Sequence, residues 1–187
     1  MFIKGTIYAG RRTLIRERFG EEAWERFEAT LRERQPSLRR LITPTSLLEF
    51  DDYVGLQALL LEMFYEGNER AYWTLGYQSA DWALTEGPYA HLLDSARRGQ
   101  VKLQPLTTRL WRVYSDEGQF TTEETENGFV VAIEGPSRWH ISLEYSAMGY
   151  VHRLFELITD RRLDPQRIEG AADNKLGCRY RFEFMDR

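Results

Sequence analysis

The chain has 187 residues, 42% hydrophobic and 13% aromatic, with a formal net charge of −4. That length and apolar content fit one folded domain and exclude a disordered chain. No apolar run reaches the roughly 20 residues of a membrane span, the N-terminal stretch lacks the apolar core of a signal peptide, and the single Cys178 rules out an intramolecular disulfide; a cytoplasmic protein is expected.

Thr6 to Phe19 carries Ile7, Tyr8, Leu14, Ile15 and Phe19 as one apolar stripe, which predicts a first helix closed by Gly20. Trp24, Phe27 and Leu31 predict a second over Glu21 to Arg34, broken by Gln35-Pro36-Ser37. A short apolar piece, Leu38 to Ile42, leads to Thr43-Pro44, where the residue before proline is steered away from helix. Asp51 and Asp52 suit the start of a third helix running to Tyr65. A fourth is expected from Glu69 to about Thr85, and Pro88 fits the first turn of a fifth ending at Arg97-Arg98-Gly99. Leu103 to Tyr114 predicts a sixth.

After Ser115 the pattern changes to strands. Gln119 to Glu126 and Phe129 to Glu134 flank Asn127-Gly128, a strong hairpin signal. Trp139 to Leu143 is expected to be a strand or strand entry. Met148, Val151, Leu154, Phe155 and Ile158 predict an amphipathic helix from Ala147 to Thr159. Two closing strands are expected around Arg167 to Ala171 and over Gly177 to Phe184, joined through Asp173-Asn174-Lys175. In the last of these, Cys178, Tyr180, Phe182 and Phe184 alternate with charged residues, so one face meets a core and the other water. The fold class is α+β over residues 1–187: a helical part (1–115) packed on an antiparallel sheet of four to five strands (116–187).

Charge is uneven: residues 1–45 hold ten Lys/Arg against six Asp/Glu, residues 46–96 one against nine. Such asymmetry could serve a partner or a self-contact, but solvated helix faces explain it more simply. The basic residues alternate with glutamates and form no clean stripe, so nucleic acid is not an expected partner.

Motifs for chemistry are sparse. There is no Gly-x-Ser-x-Gly elbow, no phosphate-cradling glycine loop and no zinc spacing. His91, His140 and His152 are the only histidines; His152 and Glu156 stand four apart on one predicted helix, yet a metal site needs three or four ligands. Glu123 and Glu124 are adjacent on a predicted strand and point to opposite faces. Cys178 alternates with aromatics and is expected to be a buried, inert thiol. No nucleophile and base pair can be assigned, so no enzyme is expected.

Several landmarks occur in an order that resembles a group of bacterial proteins best represented in myxobacteria. They are Ile3-Lys4-Gly5, Gly20-Glu21-Glu22 with Trp24, Leu110-Trp111-Arg112-Val113-Tyr114 followed by Asp116 and Gly118, Gly149-Tyr150 with Leu154-Phe155-Glu156, and Gly177-Cys178-Arg179-Tyr180. That group in turn looks like heme-NO-binding (H-NOX), vinyl-reductase-type and TRAPP-type domains. The resemblance implies helices enclosing a pocket over an antiparallel sheet, and no activity. It places Trp73, Tyr77, Trp111, Tyr114 and Tyr145 on the elements around that pocket, as candidate ligand-binding residues; the alternative is a filled core.

H-NOX domains carry an axial histidine on the helix before the sheet and a Tyr-x-Ser-x-Arg propionate clamp. Trp111 stands about where that histidine would be, and indole nitrogen only donates. The clamp region reads Leu143-Glu144-Tyr145-Ser146-Ala147-Met148-Gly149, with the arginine lost. The expectation is therefore no heme, no other cofactor and no metal. The expected function is a non-catalytic regulatory or signalling module that binds a small apolar ligand, a protein partner, or both. A homodimer is one such partnership, and a scaffold without a ligand is the alternative.

Overall fold

Glycine 20 holds a left-handed backbone (φ 88°), which lets the chain reverse at once from α1 (Thr6–Phe19) into α2 (Glu21–Arg34). The computed structural model describes residues 1–87 and 89–185. Among these, the helices continue with α3 (Phe50–Phe64), α4 (Arg70–Thr85), α5 (Ala90–Arg97), α6 (Leu103–Tyr114) and α7 (Ile141–Thr159). The strands are β1 (Phe2–Lys4), β2 (Leu47–Glu49), β3 (Gln119–Thr125), β4 (Gly128–Glu134), β5 (Leu163–Glu169) and β6 (Gly177–Phe184). The architecture is α+β as expected: helices against a four-stranded antiparallel sheet of order β3-β4-β6-β5, with β1 and β2 as a separate antiparallel pair. Pro88, expected in the first turn of α5, lies outside the described residues.

Apolar side chains gather in two large clusters. One joins α1, α2 and α3 through Tyr8, Ile15, Trp24, Phe27, Leu56 and Leu60. The other lies between the later helices and the sheet and contains Met148, Phe155, Phe129, Val131, Tyr180 and Phe182. The β6 alternation holds: Cys178, Tyr180 and Phe182 are buried, and Phe182 is fully so. Part of the sequence-level charge asymmetry is neutralised internally, since Arg34 of α2 pairs with Glu62 of α3 at 2.6 Å.

Four expectations need correction. The strand expected around Arg167 to Ala171 runs instead over Leu163–Glu169, and Ala171 belongs to a short 3-10 turn, Ala171–Asp173. Trp139 to Leu143 forms no strand. His140 is extended and its Nδ1 accepts from the Ser142 backbone N–H, so it caps α7, which starts six residues earlier than the apolar periodicity suggests. In the β3–β4 hairpin the two loop residues are Glu126 and Asn127, because Thr125 pairs with Gly128. Gly128 sits within β4, where a side chain would overlap the Phe182 carbonyl of β6; the glycine answers a close backbone approach rather than the turn. Finally, β1 and β2 were not expected. Each buries one residue, Ile3 and Leu48, which pair with one another, too short a segment to show a period of two.

The crossing of α4 and α7 positions everything that follows. Gly76 lies against the Ser146 backbone and Gly149 against the Trp73 backbone. The two helices thus touch main chain to main chain, with no side chain between them.

Candidate functional site

Beside that crossing is a cavity of about 380 Å³. α7 supplies one wall with Leu143, Ser146, Ala147, Tyr150, Val151 and Leu154, a single helical stripe at spacings of three and four. Its opposite stripe packs on the sheet, where Phe155 meets Phe129 at 4.3 Å between ring centroids. α4 contributes Gly76, Ser79, Trp82 and Ala83; α6 contributes Thr107, Leu110, Trp111 and Tyr114. α1 closes the remaining side with Ile7, Gly10 and Arg11. Thr6 and the exposed Pro44 line the outer edge, joined by a hydrogen bond from Thr6 Oγ1 to the Pro44 carbonyl at 3.1 Å. The interior is therefore mainly aliphatic and aromatic, with a few polar tips, the usual make-up of a small-molecule site.

Two of the five candidate residues reach this cavity. Trp111 lines it, and its indole N–H donates to the carbonyls of Glu117 and Gly118 at 2.8 and 3.2 Å, which holds the ring in place. Tyr114 lines it beside Tyr150, with ring centroids 5.4 Å apart. The other three lie elsewhere. Trp73 packs against Tyr145, His152 and Tyr180. Tyr77 lines a separate polar depression with Arg153 and Glu156 and donates to Glu156 at 2.5 Å. At about 100° of rotation per residue, Trp73 and Tyr77, four apart, share a face of α4 that is turned away from Ser79 and Trp82.

Arg11 is the residue the sequence reading missed. It is 3% exposed, and its guanidinium donates to the Leu75 carbonyl (3.1 Å), Ser79 Oγ (2.8 Å) and Ser146 Oγ (3.1 Å). Its Nε–H has no partner. Burial lowers its pKa, and the ionisable groups that act on it are the phenols of Tyr53, Tyr65 and Tyr114. Burial raises the pKa of each of those phenols as well, so they stay neutral. An available signal was its place between Ile7 and Ile15 at successive i, i+4 steps on the buried stripe of α1.

The histidines are placed away from the cavity. His91 is exposed, and His140 caps α7. His152 lies 3.4 Å from Glu156, and its Nε2–H donates to the Leu163 carbonyl at 3.0 Å. Among the described residues no three His, Cys, Asp or Glu side chains come together in a way that could hold a metal. Heme iron is held in proteins by His, Cys, Met or Tyr. The described lining has no histidine, cysteine or methionine; its phenols are those of Tyr89, Tyr114 and Tyr150, and burial raises the pKa of each. The donor set lacks the imidazole, thiolate and thioether ligands of heme iron and offers only phenols that burial keeps neutral. Cys178 is buried, and burial raises its thiol pKa well above the ordinary value.

Beneath α7, Glu144 is a fully buried carboxylate with all its partners in place. Oε1 accepts from Arg167 Nε (2.7 Å) and the Tyr180 hydroxyl (2.8 Å); Oε2 accepts from the Ala171 backbone N–H (2.6 Å) and Trp139 Nε1 (3.2 Å). It ties α7 to β5, β6 and the turn between them.

This arrangement of helices and sheet is the H-NOX fold. The H-NOX protein from K. algicida in an Fe(II) unliganded structure superposes with a TM-score of 0.70 at 15% identity, over 98% of this chain and 97% of that one. Its A71G mutant gives 0.71 at 15% identity. An H-NOX protein from S. oneidensis in the Fe(II) ligation state gives 0.67 at 10% identity, over 98% and 96%. No protein-family model and no curated protein matches the sequence. Identities this low establish a shared fold. No described helix is long and apolar enough to cross a membrane.

Proposed function

We propose that this domain is a non-catalytic regulatory module that holds a small, largely apolar molecule in the α1–α4–α6–α7 cavity and does so without heme. The observation that carries this reading is the cavity itself: an apolar space of about 380 Å³, lined by residues of four helices in the H-NOX fold. Solved structures sharing that fold include an H-NOX protein in an Fe(II) unliganded state and one bearing on heme distortion in the H-NOX family. The shared fold supports the same kind of use here, and the donor set argues for a different ligand. Trp111 and Tyr114 are the predicted aromatic contacts that take part; Trp73 packs α4 on β6, and Tyr77 and Tyr145 join α4 to α7 instead. The occupied module would act through a protein partner, including a second copy of the chain.

Native mass spectrometry of the protein taken directly from its host, repeated after denaturation, tests this. A retained small mass that leaves on unfolding is expected. A bare chain under all conditions, with small apolar probes failing to bind, would overturn the reading in favour of a scaffold. Hemin added in excess and removed by desalting should leave no Soret band. A stable, stoichiometric band would overturn the heme-free part.

A further inference from the structure

A guanidinium has five N–H donors. Arg11 commits three of them, to Leu75, Ser79 and Ser146, and leaves the Nε–H and one Nη2–H. Nε and Nη2 form one edge of the planar group, the edge that meets a carboxylate through two parallel hydrogen bonds. The serines are held as acceptors: Ser79 Oγ donates to the Leu75 carbonyl at 2.7 Å and Ser146 Oγ to the Tyr72 carbonyl at 3.4 Å. Each lends a lone pair to the arginine and neither neutralises it.

Buried charges in proteins are normally paired. Among the described residues Arg11 takes part in no ion pair, although several partly exposed arginines do, such as Arg153 with Asp81 and Arg167 with Glu144. A buried cation that lines an apolar cavity, with its carboxylate-matching edge unused, lacks a counter-charge that the protein itself does not supply.

Resting on the reading that the cavity holds a ligand, we infer that the ligand is an amphipathic carboxylate, an apolar chain or ring system in the cavity whose acid group is paired side-on with Arg11. The cavity's aliphatic and aromatic walls take the apolar body, and the arginine selects the anionic head. A neutral molecule of the same shape would leave the charge unpaired and bind more weakly.

Calorimetric titration of the full chain with dodecanoate and with 1-dodecanol tests this, both below their aggregation thresholds. The acid should bind at least tenfold more tightly than the alcohol, and Arg11→Met should abolish that preference while keeping the circular dichroism and cooperative melt of the parent. Should Arg11→Met fail to fold, the acid-to-alcohol ratio of the parent still decides the matter, and Arg11→Lys, which keeps the charge but loses the fork, should retain a reduced preference. Equal binding of acid and alcohol by the parent would overturn the inference and leave the ligand-binding reading intact, as would undiminished acid preference in a folded Arg11→Met. Failure of both probes, together with a bare chain in native mass spectrometry, would overturn the ligand-binding reading and this inference with it.

Discussion

Replacing Glu144 by glutamine is the sharpest probe of how α7 is fastened to the sheet. The side chain keeps its shape and loses its charge, and four donors face its two oxygens. With the new amide nitrogen in the Oε2 position, it would confront the Ala171 and Trp139 N–H groups, neither of which can accept. In the Oε1 position it meets the Tyr180 hydroxyl, which can turn to accept, and Arg167 Nε, which cannot. Glutamine therefore settles in the second orientation and gives up the Arg167 bond. Breaking a buried ion pair from one side costs about 3–5 kcal/mol. Because the Arg167 side chain is 26% exposed and water can reach it, the lower end, about 3 kcal/mol, applies. At about 2–4 °C per kcal/mol for a chain of this size, the melting temperature should fall by about 6–12 °C. In urea, with a slope of about 2 kcal/mol/M, the midpoint should fall by about 1.5 M. Arg167→Ala and the double variant complete a thermodynamic cycle, and coupling above about 0.5 kcal/mol is expected for neighbours in one network. A Glu144→Gln protein within about 1 kcal/mol of the parent, or a cycle with no coupling, would refute the view that this carboxylate is a structural tie.

Gly149→Ala should destabilise by about 1–3 kcal/mol in chemical denaturation, as overpacking does, because the added methyl would overlap the Trp73 carbonyl; Gly10→Ala, which meets only Ser79 Oγ at 4.0 Å, should be close to neutral at the cavity wall. Phe182→Asp should abolish the cooperative melt, since Phe182 is fully buried and an unpaired charge there costs several kcal/mol. Burial holds the His152 imidazole below its ordinary pKa, with Glu156 opposing, and its Nδ1 is buried without a partner. The unfolded chain therefore takes up this proton more readily than the folded one. The stability involved is present above about pH 6.5, the unfolded value, and is lost as pH falls below it. His140 is lowered by burial too and adds in the same direction. Urea melts between pH 7.5 and 5 should show this decline, and His152→Gln should flatten it; an unchanged slope would show that His152 does not contribute.

The elements that could be read from the sequence are those whose burial is periodic. The β6 alternation and the stripes of α1, α2 and α6 each repeat over enough residues to declare a face, and Gly20 marks a boundary by its backbone freedom. Elements that depend on distant partners could not be read in this way. β1 and β2 exist because Ile3 meets Leu48 across about 45 residues of chain, and the first turn of α7 depends on a histidine cap rather than on hydrophobic spacing. The site followed the same division. Trp111 and Tyr114 share a predicted helix with Leu110 and reach the cavity together, whereas the direction of Trp73 and Tyr77 is set by the glycine crossing, which no local pattern reveals. Arg11 was hidden among the other arginines of α1, since only its position on the apolar stripe separates it from Arg12 and Arg16.

The glycine contact between α4 and α7 makes the walls of the cavity mechanically unequal. Where Gly76 and Gly149 bring the two backbones together there is no side chain to repack, so that corner behaves as a weld and α4 and α7 form one stiff plate. α7 is further pinned at Glu144 to β5 and β6. Across the cavity, α1 presents Gly10 with only Ser79 Oγ near it, and its approach is bridged by the hydroxyls of Ser79 and Ser146. A guest larger than the resting space therefore meets its stiffest resistance at α4 and α7, which leaves α1 and α6 as the walls to yield, and any displacement of α1 would carry α2 with it through their one-glycine joint.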